Sequence, residues 1–142
     1  MFKIQISSRF TIAIHIIVCI DYFHEQFTIT SDFLAASVKV NPVIIRRIIL
    51  QLKSVGMINI TRGRSGMTLA KPLDKITLYD VYSAVDCVNG SLFHFHENPN
   101  PDCPVGKNIH NALDESLAEI QRTFEDKLRS ITLRDVAEKI KL

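Results

Sequence analysis

The spacing of hydrophobic residues changes period at Gly56, and that change narrows the fold more than any other feature of the chain. Before it, Ile45, Ile48, Ile49 and Leu52 recur at three- and four-residue spacing. On a helical wheel they fall within an arc of about 100°. After it, Ile58 and Ile60 alternate with Asn59 and Thr61, and Met67 and Leu69 alternate beyond Arg62-Gly63-Arg64-Ser65-Gly66. The pattern predicts a helix that ends at a glycine suited to the left-handed conformation. Two short strands around a Gly-containing loop then make a hairpin, which Pro72 closes.

Helix punctuation divides the rest. Ser7 or Ser8 can cap a first helix running to about Phe23, and Thr30 a short second one over Ser31–Ser37. Asn41-Pro42 is an N-cap followed by proline at the first helical position, so the third helix runs from there to Ser54 or Val55. Thr77-x-x-Asp80 and Thr132-x-x-Asp135 resemble capping boxes and open two further helices. Between them lie a loop, 89–103, and a helical pattern of about 25 residues headed by Pro104, roughly 37 Å long. Ile109, Leu113, Leu117, Ile120 and Phe124 mark its apolar stripe. Such a helix exceeds what a small domain needs to cover its own core, and predicts one shared across a two-fold homodimer. The fold expected is mainly α with a small β-hairpin wing: a winged helix-turn-helix over 1–75, and a helical dimerisation and sensor region over 76–142.

Helix, turn, helix, then a basic hairpin is the order of a DNA-binding winged domain. The third helix turns Val43, Arg47 and Leu50 away from its apolar face, with Arg46 on the flank. Asn41, Val43, Arg46 and Arg47 are therefore candidates for phosphate and base-edge contacts in a major groove. Arg62 and Arg64 of the hairpin loop would reach phosphates or the minor groove. Ser8 and Arg9 would hold a phosphate at the start of the first helix. Residues 37–71 hold seven Lys or Arg and no Asp or Glu. The formal net charge of +2 hides this, because residues 1–75 carry +6 and residues 76–142 carry −4. The partner expected is a double-stranded DNA operator. An RNA- or single-strand-binding module is disfavoured, since the apolar residues here are aliphatic rather than aromatic. A winged-helix protein-interaction module without DNA binding is the alternative in another class.

Several other classes fall away. Phe10–Ile20 holds nine apolar residues in eleven but is too short to cross a bilayer, which takes about 20 residues. Asp21-Tyr22-Phe23-His24 follows it, with no small-residue cleavage site, so a buried helix in a cytoplasmic protein without a membrane partner is expected. His15, alone in that run, reads as a core or edge residue. There is no Walker loop, GxSxG elbow, HExxH or Gly-rich dinucleotide fingerprint, and an enzyme is not expected. Cys19, Cys87 and Cys103 are widely spaced and odd in number, which fits a reducing compartment.

Taken together, Ile6-Ser7-Ser8-Arg9, Asn-Pro-Val-Ile-Ile-Arg-Arg-Ile (41–48), Leu52 to Ile58, Arg62 to Pro72, Ile76 to Val81 and Ser130 to Val136 resemble the Rrf-two family of bacterial transcription regulators. The resemblance covers nearly the whole chain. It implies a homodimer that binds a palindromic operator, usually as a repressor, with the long helix making the dimer. Several members hold an iron–sulfur cluster on three closely spaced cysteines between the wing domain and the long helix. Here that stretch offers only Cys103, with Cys87 sixteen residues earlier, so the chain resembles the cluster-free branch and no cofactor is expected.

Cys103 is instead a candidate redox sensor. It sits at the start of the long helix, where the helix dipole favours a thiolate, and Lys107 lies one turn on. His94, His96 and His110 could join it in a metal-sensing regulator, but no second tight ligand pair is present, and no metal site is assigned.

Overall fold

The computed structural model describes residues 6–61, 66–85 and 92–140. Helix α1 (Arg9–Phe23) lies at the centre and buries Ala13, Ile16, Ile17, Cys19 and Ile20. Its start differs from a simple serine cap. Ser8 occupies the N-cap in a helical conformation with no side-chain hydrogen bond, while Ser7 Oγ accepts from the Arg9 N–H at 3.2 Å. Helix α2 (Ser31–Val38) is capped by the Thr30 hydroxyl, which accepts from the Phe33 N–H, and ends one residue beyond the expected Ser37.

Helix α3 (Pro42–Ser54) has the start its sequence predicts: Asn41 Oδ1 accepts from the Val43 N–H at 2.8 Å, and Pro42 fills the first position. Ile45, Ile48, Ile49 and Leu52 are all buried, each worth roughly 1.5–3 kcal/mol of transfer free energy. At the far end Gly56 takes φ +76°, and the Met57 N–H reaches back to the Leu52 carbonyl. Strands β1 (Ile58–Ile60) and β2 (Met67–Leu69) pair antiparallel with Ile58 opposite Leu69 and Ile60 opposite Met67. The hairpin base is anchored to the segment before α2, because Met67 donates to the Ile29 carbonyl at 3.1 Å. Gly66, at φ +60°, approaches that same carbonyl so closely that a Cβ would collide with it.

A 3₁₀ turn (Leu73–Lys75) leads to α4 (Leu78–Ala84), the long α5 (Pro104–Arg129) and α6 (Leu133–Glu138). Both expected capping boxes form, with Thr77 and Asp80 at α4 and Thr132 and Asp135 at α6. The two boxes lie side by side: Leu78 donates to the Ile131 carbonyl and Leu133 to the Ile76 carbonyl. One buried cluster accordingly joins α1, α2, α3 and the hairpin to Leu73, Val81, Val85 and Leu133. Helix α5 stands apart from it. Of its 26 residues only Leu128 is buried, and it rests mainly on α4, where the rings of Tyr82 and Phe124 meet edge to face at 5.7 Å.

Candidate nucleic-acid interface

With the apolar face of α3 turned inward, its opposite face is left to solvent. Val43, Ile44 and Leu50 are 49%, 41% and 61% exposed, and Arg46 and Arg47 are exposed between them. A cleft of about 530 Å³ runs along one side of this face, and it brings together residues far apart in the chain: Ser8 and Arg9 from the start of α1, and Arg47, Leu50 and Gln51 from α3. Positive charge from two helices thus faces one concave surface, the arrangement that receives a phosphate backbone. The Arg9 N–H is engaged by Ser7 Oγ and the Phe10 N–H by the Ser7 carbonyl, so the positive charge here is chiefly that of the Arg9 side chain.

Arg46 leaves on the other flank. Its guanidinium lies 3.8 Å from the Asp32 carboxylate of α2, an exposed pair of the kind worth about 0–1 kcal/mol. The two arginines that look equivalent in the sequence are therefore differently placed, Arg47 in the cleft and Arg46 tethered beside α2. Asn41 is exposed at the cap, with its amide oxygen committed to Val43. Arg62 and Arg64 lie outside the described residues. Gln51 was not singled out from the sequence, yet its Oε1 is buried in the same region without a hydrogen-bond partner. Its position four residues after Arg47, one turn along the same face, was the available sign.

The pattern that defines the Rrf2 family, described as an iron-dependent transcriptional regulator, matches residues 6–139. The chain belongs to the Rrf2 family. Among its relatives, YwnA of Bacillus subtilis (strain 168), described as an HTH-type transcriptional regulator, is 44% identical over 132 residues, 93% of this chain and 96% of YwnA. A crystal structure described as that of a DNA-binding protein is 38% identical, with TM-score 0.71 over 91% of this chain and 98% of that one. CymR of B. subtilis, the global cysteine regulator, shares the fold at 20% identity, with TM-score 0.70 over 99% of this chain and all of CymR's. The protein is a DNA-binding transcription regulator with a winged helix, and not an enzyme.

Among the described residues, the iron in the family's description finds no matching donor set. No three His, Cys, Asp or Glu side chains among those residues are grouped as metal ligands would be. Cys19 is buried in α1 with its Sγ 3.3 Å from Ser37 Oγ, and Cys87 lies outside the described residues. Of His94, His96, His110 and Cys103, the rings of His96 and His110 do meet, at 5.3 Å between centroids, but among the described residues no third ligand joins them. His110 stacks on Phe95 at 4.4 Å between ring centroids, and its Nε2 pairs with the His96 carbonyl oxygen at 3.1 Å. Also among the described residues, no helix is long and apolar enough to cross a membrane.

Cys103 is the N-cap residue of α5, half-buried and reduced. Its thiol is held below the ordinary cysteine range by backbone N–H groups, that of Gly106 first and that of Val105 second. Lys107 is not among the causes, so the free N–H groups of the helix start, rather than a neighbouring ammonium, favour the thiolate.

The apolar stripe of α5 divides in two. Leu117 lines a small cavity with Phe93 and Phe95 of the preceding loop, and Phe124 packs on Tyr82, so these two are served within the chain. Leu113 and Ile120, seven residues apart, remain 37% and 51% exposed, and Ile109 is half-buried.

Proposed function

We propose that this regulator works as a homodimer on a two-fold symmetric operator and represses by occupying it. The observation that carries the reading is the uncovered pair Leu113 and Ile120 on a 26-residue helix that buries only Leu128 within its own chain. A second copy of α5 crossing the first would cover that pair, extend to Ile109, and set two α3 helices facing the same side of a duplex. Residues 1–75 then form the DNA-reading part and 76–142 the dimerising part, in the cytoplasm where the chromosome lies.

Within each half-site, Ser8, Arg9 and Arg47 hold phosphates along the cleft. Arg46, Asn41 and Val43 approach base edges at the start of α3, and Arg62 and Arg64 reach the flanking groove from the wing. The redox input of this reading is Cys103. Hydrogen peroxide transfers one oxygen to the thiolate as its O–O bond breaks, giving a sulfenic acid and hydroxide, and the new group alters the α5 start. The lowered thiol favours this residue over the buried Cys19.

Selection of bound duplexes from random DNA by the full chain tests the reading. Recovered sites should contain inverted half-sites about one helical turn, 34–36 Å, apart. Single or directly repeated half-sites would contradict it.

A further inference from the structure

A second cavity, of about 390 Å³, opens further along α1, toward its C-terminal end, where α1, the end of α2 and α6 meet. It shares no residue with that cleft. Its volume falls in the range of small-molecule sites. Val18 and Phe23 from α1 and Ala137 from α6 supply apolar walls. Ser37 Oγ stands 3.0 Å from Nε2 of the exposed His15 and 3.3 Å from Sγ of the buried Cys19, so this hydroxyl is already engaged.

The charged lining consists of Asp21 on α1 and Arg134 and Glu138 on α6. None of the three is in an ion pair among the described residues. Two carboxylates against one guanidinium leave this lining net negative by one charge. Beside Asp21, the ring of Tyr22 is 44% exposed. A net negative lining with a partly exposed aromatic ring, packed edge-on against Phe23, and apolar walls suits positive charge on an apolar body. An anion would meet a net negative lining despite Arg134, and a neutral molecule would leave that charge unmatched.

We propose that this cavity binds a small apolar organic cation, an amine or quaternary ammonium with an aromatic or aliphatic body. The occupant would touch α1 and α2, which pack against the DNA-reading helix, and α6, which joins the same core through Leu133 and follows α5 in the chain. Binding therefore biases their relative position and with it operator affinity. That regulatory consequence rests on the operator-binding dimer proposed above; occupancy of the cavity does not.

The test uses the full chain, with benzyltrimethylammonium, benzenesulfonate and benzyl alcohol titrated by calorimetry at equal ionic strength. The cation should bind in preference to the other two. Asp21→Asn should weaken it about three- to tenfold, and Ala137→Phe, which fills the cavity, should abolish binding. Should Ala137→Phe fail to fold, Asp21→Asn and Glu138→Gln at the rim carry the test. Equal or tighter binding of the sulfonate or the alcohol, or a cation affinity unmoved by Asp21→Asn, overturns the proposal. Operator affinity is then measured with and without saturating cation. A change of about fivefold or more, lost in Asp21→Asn, is expected. No change overturns the regulatory role. Absence of operator binding before any cation is added instead overturns the dimer reading, and leaves the calorimetry to decide the cavity.

Discussion

Helices α3 and α5 are both amphipathic, and their apolar faces meet opposite fates. In α3, 13 residues bury four large side chains against their own chain. In α5, 26 residues bury one. The shorter helix is completed from within, so its outer face is available to a ligand. Arg47 and the Ser8–Arg9 start of α1 gather there around a common cleft. The longer helix keeps Leu113 and Ile120 open, and what it lacks is a surface of matching shape and polarity. The charge of the chain follows the same division, +6 over residues 1–75, which hold α3, and −4 over 76–142, which hold α5.

The strongest way to break this contrast is to charge the open face of α5. Leu113→Glu with Ile120→Glu should convert a dimer to monomers in sedimentation. It should lower operator affinity about a hundredfold or more, because linked half-sites act through effective concentration. The helix itself should survive, since neither side chain is buried in the chain. A double variant that stays dimeric would show that another surface makes the assembly, and α5 would then be no different in kind from α3.

On the α3 side, Arg47→Ala should weaken operator binding by about ten- to thirtyfold and make the dependence on salt shallower by roughly one phosphate contact. Arg46→Ala should cost less, because Asp32 already holds that guanidinium at 3.8 Å. Asp32→Ala should therefore tighten binding by releasing Arg46 and removing a negative charge near the DNA. Binding curves at several salt concentrations separate the three. An Arg46 variant harmed more than the Arg47 variant would place the DNA on the opposite flank of α3.

These differences also mark where the sequence stops being readable. The caps of α3 and α6, the four-residue inner face of α3 and the Gly56 turn are local, set by residues within one or two turns, and they appear in the structure where the pattern puts them. The resemblance carried the fold and the class of function, since it rests on motifs spread along nearly the whole chain. Pairings across elements left no local trace. Nothing near Arg46 in sequence announces Asp32, and nothing near His15 announces Ser37, 22 residues away. Likewise, three-and-four spacing predicts one stripe on α5, whereas Phe93, Phe95 and Tyr82 cover Leu117 and Phe124 and leave only part of it open. For Gln51 the spacing from Arg47 marked the face, but the burial of its Oε1 shows only once the cleft around it exists.

A smaller effect is expected at the thiols, where the contrast is between a helix start and a helix interior. Cys103 meets the N–H groups of Gly106 and Val105, whereas Cys19 is buried against Ser37. Iodoacetamide at neutral pH should label Cys103 first in the folded protein, with a rate whose pH midpoint lies below that of an ordinary thiol. Mass spectrometry of the labelled chain identifies the site. Peroxide should alter operator affinity in the wild type and not in Cys103→Ser. Faster labelling of Cys19, or an identical peroxide response in both proteins, would move the sensing function away from α5.

The smallest effect belongs to the box that starts α6, and its sign follows from the direction of one shift. The Asp135 carboxyl is held below the ordinary aspartate range, chiefly by the Thr132 backbone N–H, with the Thr132 hydroxyl second and Lys139 adding a weaker attraction. A carboxylate whose folded value is depressed stabilises the fold above its unfolded value. That contribution fades as pH falls through the folded value, because the native state is then the harder one to protonate. Asp135→Asn should therefore melt slightly below the wild type near neutrality, and the two melting curves should converge in acid. Since α6 leans on the α4 box through the Leu78 to Ile131 and Leu133 to Ile76 hydrogen bonds, the loss should be cooperative with global unfolding rather than a local fraying. A gap that persists unchanged at low pH would mean that Asp135 acts through packing, and that the α6 start is held by Leu133 burial alone.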